Sequence, residues 1–295
     1  MDPSERLALN AAGRVSKEAR ELAVEIAVEG ALVRELADEV EGLMERRGLR
    51  PAFPTCVSIN SVAAHYSPTH DDQLRLRRGD VVKLDLGAHS DGWIGDTAVT
   101  VEIGDDKWTE LIRASDIALR AAIAGVKPGV ETSYLGSLIA KNVQNLGFRP
   151  IRNLTGHTIT KYRLHAGKSV PNVARGHDTL ELNEVLAIEP FSTSGAGEVD
   201  GHRPGNIYRV IRSKPMKDGR LEAFRKQLEV SFKSLPFAER WAFKIDQRAP
   251  LLLAELTHRG ALMAYPQLLD VHHGIVAQTE HTMIVTPNGA QVTTL

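Results

Sequence analysis

Four carboxylates of this chain stand where a folded protein does not ordinarily tolerate charge. Asp85 and Asp96 lie in two β-rich runs, 81–86 and 93–103, joined through Ser90-Asp91-Gly92. Glu189 closes the apolar run Val185-Leu186-Ala187-Ile188, and Glu280 sits inside Ile275–Thr282. Asp-Gly between alternating apolar residues predicts a two-residue hairpin turn. Across such a turn, positions on one face sum to an odd number, as 85 and 96 do, so both carboxylates project from one face of the hairpin. Two like charges on a partly apolar face repel each other and are costly to bury, and a cation removes that cost. Taken singly, Glu189 or Glu280 is equally read as the solvent-facing residue of a strand. Four such placements in one chain are harder to dismiss.

A histidine completes the set. His157 follows Gly156 in a segment read as a loop, where glycine permits close backbone approach. Oxygen-rich ligands with one imidazole favour divalent manganese, iron or cobalt. Four carboxylates exceed the charge of one divalent ion, so two ions match better. A pair roughly 3.5–4 Å apart can share a bridging hydroxide as nucleophile. No competing catalytic signature is present: there is no G-x-S-x-G elbow, no P-loop and no H-E-x-x-H. The single cysteine, Cys56, excludes an intrachain disulfide and thiolate zinc clusters, and reads as a small packed residue.

The rest of the chain supplies the frame. Helical periodicity covers 4–47 as one helix or a pair, with Gly48 at the stop. Residues 51–70, rich in proline and small polar residues, read as an irregular, partly buried loop. Residues 109–126 and 133–146 read as helices, and 183–190 and 274–286 as strands. Gly79–Asp85 and Asn183–Glu189 echo each other: an acidic residue opens a β-rich run and a carboxylate closes it. If that echo is a duplication, the site lies between two halves. Residues 206–266 break the pattern with basic and helical stretches (Arg209, Arg212, Lys214, Lys217, Arg220, then 221–235 and 249–259) and read as an inserted helical subdomain with a solvated basic face. A net charge of −1, from 36 Lys plus Arg against 37 Asp plus Glu, offers no global field for a polyanion. No apolar run approaches the ~20 residues that span a bilayer, and the polar start MDPSERLALN shows no targeting signal. The expectation is a cytoplasmic protein.

Taken together, Ala52-Phe53-Pro54, Ala63-Ala64-His65-Tyr66, Asp85-x10-Asp96, Gly156-His157-x7-His165, Glu189-Pro190-Phe191 and Glu280-His281-Thr282 resemble the methionine aminopeptidases of the type 2 class, over nearly the whole chain. The resemblance implies an α/β (α+β) pita-bread fold of two pseudo-symmetric halves, 1–205 and 267–295 forming the catalytic domain and 206–266 the insert. That insert, between Glu189 and Glu280, favours type 2 over type 1, and the short N-terminal segment favours the archaeal form. The resemblance implies two divalent ions (cobalt, manganese or iron, with zinc a further option). Asp85 would chelate one ion, His157 and Glu189 the other, and Asp96 and Glu280 would bridge both. A dimetal-bridging hydroxide would attack the first peptide bond, with Glu189 as general base. His65 and His165 would contact the scissile peptide and steady the tetrahedral intermediate, and Phe53 would line the methionine pocket. The substrates implied are N-termini of nascent polypeptides with a small second residue. The ribosome is the candidate docking partner, and a monomer with no membrane and no specific nucleic-acid partner is expected. Thr279 departs from the phenylalanine common in the family. Two other readings compete: a pita-bread relative that binds RNA or protein without catalysis, which should have lost ligands that are all present here, and a proline-specific exopeptidase on the same fold.

Overall fold

Asp2 opens the first helix, α1 (Pro3–Ile26), with a reciprocal cap. Its Oδ1 accepts from the Ser4 and Glu5 N–H groups at 2.7 and 2.9 Å, and the Glu5 carboxylate returns to the Asp2 N–H at 2.9 Å. The chain breaks at Gly30 and resumes as α2 (Val33–Arg46), so the expected helical stretch is a pair, stopped at Gly48 with φ 77°. The computed structural model describes residues 1–211 and 215–295. After α2 come β1 (Arg50–Pro51), β2 (Cys56–Ile59) and β3 (Val62–Ala64). The segment read as an irregular loop therefore holds short strands, whose β-branched residues Val57, Ile59 and Val62 were masked by prolines and small polar neighbours. β4 (Val81–Ser90) and β5 (Trp93–Glu102) form the expected hairpin. Ser90 pairs with Trp93, and Asp91 and Gly92 both take positive φ, 45° and 88°, as this tight turn requires. Asp85 lies opposite Ala98 and Asp96 opposite Gly87, a diagonal pair on one face.

The second half repeats the plan. α3 (Thr109–Gly125) and α4 (Thr132–Asn145) lead to β6 (Arg149–Pro150), β7 (Thr155–Ile159), β8 (Ser169–Pro171), β9 (Val185–Ile188) and β10 (Phe191–Thr193). Gly30 and Gly129, both at positive φ, precede the isolated bridges Leu32↔Arg75 and Glu131↔Thr179. Gly48 and Gly147 end α2 and α4, and each is followed two residues later by Arg-Pro in a short strand. Gly30 and Gly129, Leu32 and Glu131, Gly48 and Gly147, and Arg50 and Arg149 are each 99 residues apart, while Arg75 and Thr179, like the two ligand-bearing runs, are 104 apart, so the second half follows the plan of the first with five residues added between. Each helix pair buries its apolar stripe against its own half of the sheet, on the face away from the carboxylates: Val33, Leu36, Val40 and Met44 pack with Leu84 and Leu86, and Leu119, Leu135 and Ile139 pack with Leu186, Ile188 and Met283.

The block expected to be helical begins and ends in strands. β11 (Val199–Val210) pairs along its length with β13 (Leu262–Asp270) as an antiparallel ribbon, so the positions 206 and 266 fall inside strands. Gly201, Pro204 and Gly205 interrupt the alternation that would have marked β11, and register shifts occur at those points. Between the two lie α5 (Gly219–Phe232), β12 (Phe237–Ala238), α6 (Glu239–Ile245) and α7 (Ala249–His258), around a third core of Leu221, Phe224, Leu228, Phe237, Leu253 and Leu256. Arg212 and Lys214 lie outside the described residues. The buried Arg240 on α6 fastens this block to the first half, bonding to Glu41 on α2 and to Ser67 Oγ at 2.7 Å. The chain closes with β14 (Val276–Gln278), β15 (Glu280–Thr286) and β16 (Gly289–Val292). β15 is the seam. It pairs with β5 through Glu280↔Ala98 and with β9 through Thr282↔Ala187, giving the order β1-β4-β5-β15-β9-β7-β8.

Candidate metal centre

That strand order assembles the site. Five consecutive strands each deliver one candidate ligand: Asp85 from β4, Asp96 from β5, Glu280 from β15, Glu189 immediately after β9, and His157 from β7. The segment around His157 is thus a strand, not a loop; Thr155, Thr158 and Ile159 carry the β preference that Gly156 obscured. His157 Nε2 stands 3.6 Å from Asp96 Oδ2 and 3.9 Å from Glu189 Oε1, too far for a hydrogen bond. Ligand atoms of Asp96, His157 and Glu280 lie within 4.8 Å of one another, and all three residues are buried.

Burial and mutual repulsion penalise the charged forms of these acids, a cost that a bound cation offsets. Burial first, then the neighbouring Asp85, raises the Asp96 pKa well above the ordinary carboxylate range. Glu189 and Glu280 are raised the same way, by burial and then by the surrounding acids, and burial raises Asp85. Burial likewise depresses His157, to about 3, favouring the neutral imidazole that a metal takes. Asp85 Oδ1, Asp96 Oδ1 and Glu280 Oε1 are shielded from solvent with no hydrogen-bond partner. Buried oxygens left without donors are costly, and a hard divalent cation is a partner that the buried Asp96, His157 and Glu280 fit.

Gln278 is the residue that sequence reasoning missed. It is fully buried, and its Nε2 lies 3.3 Å from Asp85 Oδ2, Glu189 Oε2 and Glu280 Oε2 alike. One amide thus faces three of the four carboxylates. The available signal was its position two residues before Glu280, the spacing that returns a strand to the same face.

All eight residues singled out from the sequence line one cavity of about 220 Å³. Phe53 forms part of its wall. His65 sits at its side with a left-handed φ of 66°, an uncommon state for a non-glycine residue. Its Nδ1 is 3.1 Å from the Pro266 carbonyl, which makes Nδ1 the protonated donor in the neutral ring and leaves the Nε2 lone pair free. His165 is exposed at the mouth, with its ring centroid 4.3 Å from that of His157. Ile207 and Tyr265 of the ribbon, and Pro236 beyond α5, complete the lining. A larger cavity, about 640 Å³, lies between α2 and the α5–α6 region and shares Pro236 with the first. It contains no convergent ligand set, so size alone does not mark the chemistry.

The chain belongs to the metallopeptidase family M24, whose profile matches residues 8–287. Its relatives narrow the class. It is 44% identical over 287 residues to a methionine aminopeptidase of Pyrococcus horikoshii, covering 96% of this chain and 97% of that one. It is 43% identical over 295 residues to the methionine aminopeptidase of Archaeoglobus fulgidus, covering all of both. Among solved structures, the methionine aminopeptidase of Thermotoga maritima superposes with a TM-score of 0.73 at 24% identity, covering 100% of this chain and 98% of that one. A thermophilic Arx1 gives 0.89 at 17%, covering 99% and 91%. At those identities the likeness concerns the fold, which is the pita-bread architecture. No helix among the described residues is long and apolar enough to cross a membrane.

Proposed function

We propose that this protein is a type 2 methionine aminopeptidase that removes the N-terminal methionine from nascent polypeptides with a small second residue, in the cytoplasm, as they leave the ribosome. The observation that carries the reading is the meeting of Asp85, Asp96, Glu280, Glu189 and His157 on five consecutive strands around one buried space. The type 2 assignment rests on the block 206–266, which has a core of its own.

Two divalent ions, manganese, iron or cobalt with zinc as a further option, would supply Lewis-acid activation of the first peptide carbonyl and of a water when bound. Asp85 would hold one ion, His157 and Glu189 the other, and Asp96 and Glu280 both. Glu189 accepts the proton of the attacking water as general base. His65, with its Nδ1–H committed to the Pro266 carbonyl, offers Nε2 as acceptor for the N–H of the scissile peptide. His165, at the mouth, donates to the oxyanion that develops on the carbonyl. Phe53 forms the wall against which the methionine side chain packs. A large second side chain would displace the carbonyl, and about 1 Å of misplacement can cost ~10²-fold in rate.

The test is methionine release from Met-Ala-Ser by protein stripped with a chelator and then supplied separately with Mn, Fe, Co or Zn. Activity is expected to vanish on stripping and return with at least one ion. Turnover persisting in thoroughly metal-free protein would refute the mechanism, and preferential cleavage of X-Pro peptides would move the reading to a proline-specific exopeptidase.

A further inference from the structure

Arg209 is a basic residue that the reading above leaves unused. On β11, Ile207 pairs with Tyr265 of β13, and Arg209 pairs with Met263. Ile207 and Tyr265 both line the catalytic cavity. Residues two apart on a strand share a face and are separated by roughly 7 Å, so Arg209 leaves the ribbon on the cavity side, one step outward from Ile207. Tyr208 and Val210 point the other way and pack on the third core. Burial, then His65 and Arg209, hold the His165 imidazole down to about 4, and burial raises Tyr265 against a smaller opposing effect of Arg209, so the guanidinium stands within electrostatic reach of both.

This guanidinium is short of partners. Four arginines of the same block pair with acids: Arg225 with Glu222, Arg240 with Glu41, Arg248 with Asp246 and Arg259 with Glu255. Among the described residues no carboxylate forms an ion pair with Arg209. Its Nε is shielded from solvent with no acceptor. A shielded donor without an acceptor carries an uncompensated desolvation cost, which a carboxylate brought in by another molecule would offset.

We propose that Arg209 is a specificity-determining residue that favours substrates with Asp or Glu at the third or fourth position and disfavours Lys or Arg there. The proposal rests on the aminopeptidase reading. With the first peptide bond at the carboxylate cluster, the following residues leave through the mouth beside His165 and the Ile207–Tyr265 pair. An extended chain advances roughly 3.4 Å per residue, which brings the third or fourth side chain level with Arg209.

The manganese-loaded enzyme is assayed on Met-Ala-Ser-Gly as neutral reference, on Met-Ala-Glu-Gly and Met-Ala-Ser-Glu, and on their lysine counterparts. The glutamate peptides should exceed the lysine peptides about fivefold in kcat/KM at low ionic strength, mainly through KM, and the ratio should collapse in 1 M KCl. Arg209→Lys should keep the preference, Arg209→Gln should bring the ratio close to one, and Arg209→Glu should invert it. Because each ratio is taken within one enzyme, a change in overall activity does not imitate it. A wild-type enzyme that cleaves the neutral peptide without discriminating at either position overturns the proposal, as does a ratio that survives Arg209→Gln. No release from the neutral peptide would overturn the aminopeptidase reading itself, and this proposal with it.

Discussion

Replacing Gln278 by methionine tests whether the carboxylate cluster is held in shape by a single amide. The two side chains are similar in length and volume, so the change removes the polar head with little repacking. Gln278 Oε1 has no partner, and its loss breaks nothing. Nε2 carries two hydrogens and faces three carboxylate oxygens, each at 3.3 Å. That distance is long for an N–H···O bond, and two donors are shared among three acceptors, so each contact falls below the ~1.5–3 kcal/mol of a well-formed bond to a charged group. Two donors at about 1 kcal/mol each come to about 2 kcal/mol, within the 10- to 100-fold that a lost ligand-orienting contact typically costs in metal affinity. Calorimetric titration of stripped Gln278→Met with Mn²⁺ should show a dissociation constant raised 10- to 100-fold, with a thermal melt of the loaded protein close to wild type. A constant within twofold of wild type, in a folded variant, would refute the claim that this amide organises the site.

Three further outcomes are expected. Asp96→Ala should abolish methionine release and reduce bound metal in a protein that still melts cooperatively; full metal content with full activity would contradict its proposed role as a metal ligand. His165→Ala should lower kcat by about 10²–10³ with metal content unchanged, and loss of one equivalent of metal would make His165 a ligand instead. Glu41→Ala leaves the buried Arg240 without its nearest acid, so urea unfolding should show a loss of about 3–5 kcal/mol; a loss below about 1 kcal/mol would mean that water or Asp38 compensates.

What the sequence made legible follows the range of the interactions concerned. The common face of Asp85 and Asp96 was readable because turn chemistry fixes hairpin register locally: Asp91 and Gly92 admit the positive φ values that a two-residue turn needs. The paired helices at 4–47 were readable for the same reason, through short-range apolar periodicity and Gly48. Glu189 and Glu280 could be marked only as odd residues in apolar runs, because their meeting depends on β15 pairing with β9 and β5, contacts between distant segments. The ribbon β11–β13 escaped because glycines and a proline break its alternation while the helices between its strands announce themselves. The backbone state of His65 has no local signal at all, since a left-handed histidine is held by its surroundings, here the Pro266 carbonyl and the clamp through Ser67.

The seam strand explains why threonine recurs around the ligands. A slip of one residue between β5 and β15 would turn Glu280 to the opposite face and destroy the site, yet Thr279 interrupts regular strand structure just before it, between β14 and β15. Ladder bonds alone therefore pin the register poorly at that point. Side-chain hydroxyls supply the missing constraint. Thr282 Oγ1 accepts from the Asp96 N–H at 2.8 Å and donates to the Asp96 carbonyl at 2.9 Å. Thr97 donates to the Glu280 carbonyl at 2.9 Å. Thr100 donates to the Gln278 carbonyl at 2.7 Å and accepts from the Gln278 N–H at 2.8 Å. Each bond ties the backbone of a residue that faces the carboxylate cluster to the neighbouring strand, and all of these threonines are buried, where an unmade bond is expensive. The hydroxyls thus fix which way Asp96, Gln278 and Glu280 point before any ion arrives, and the repulsion among the carboxylates is met by a scaffold that cannot relieve it by sliding.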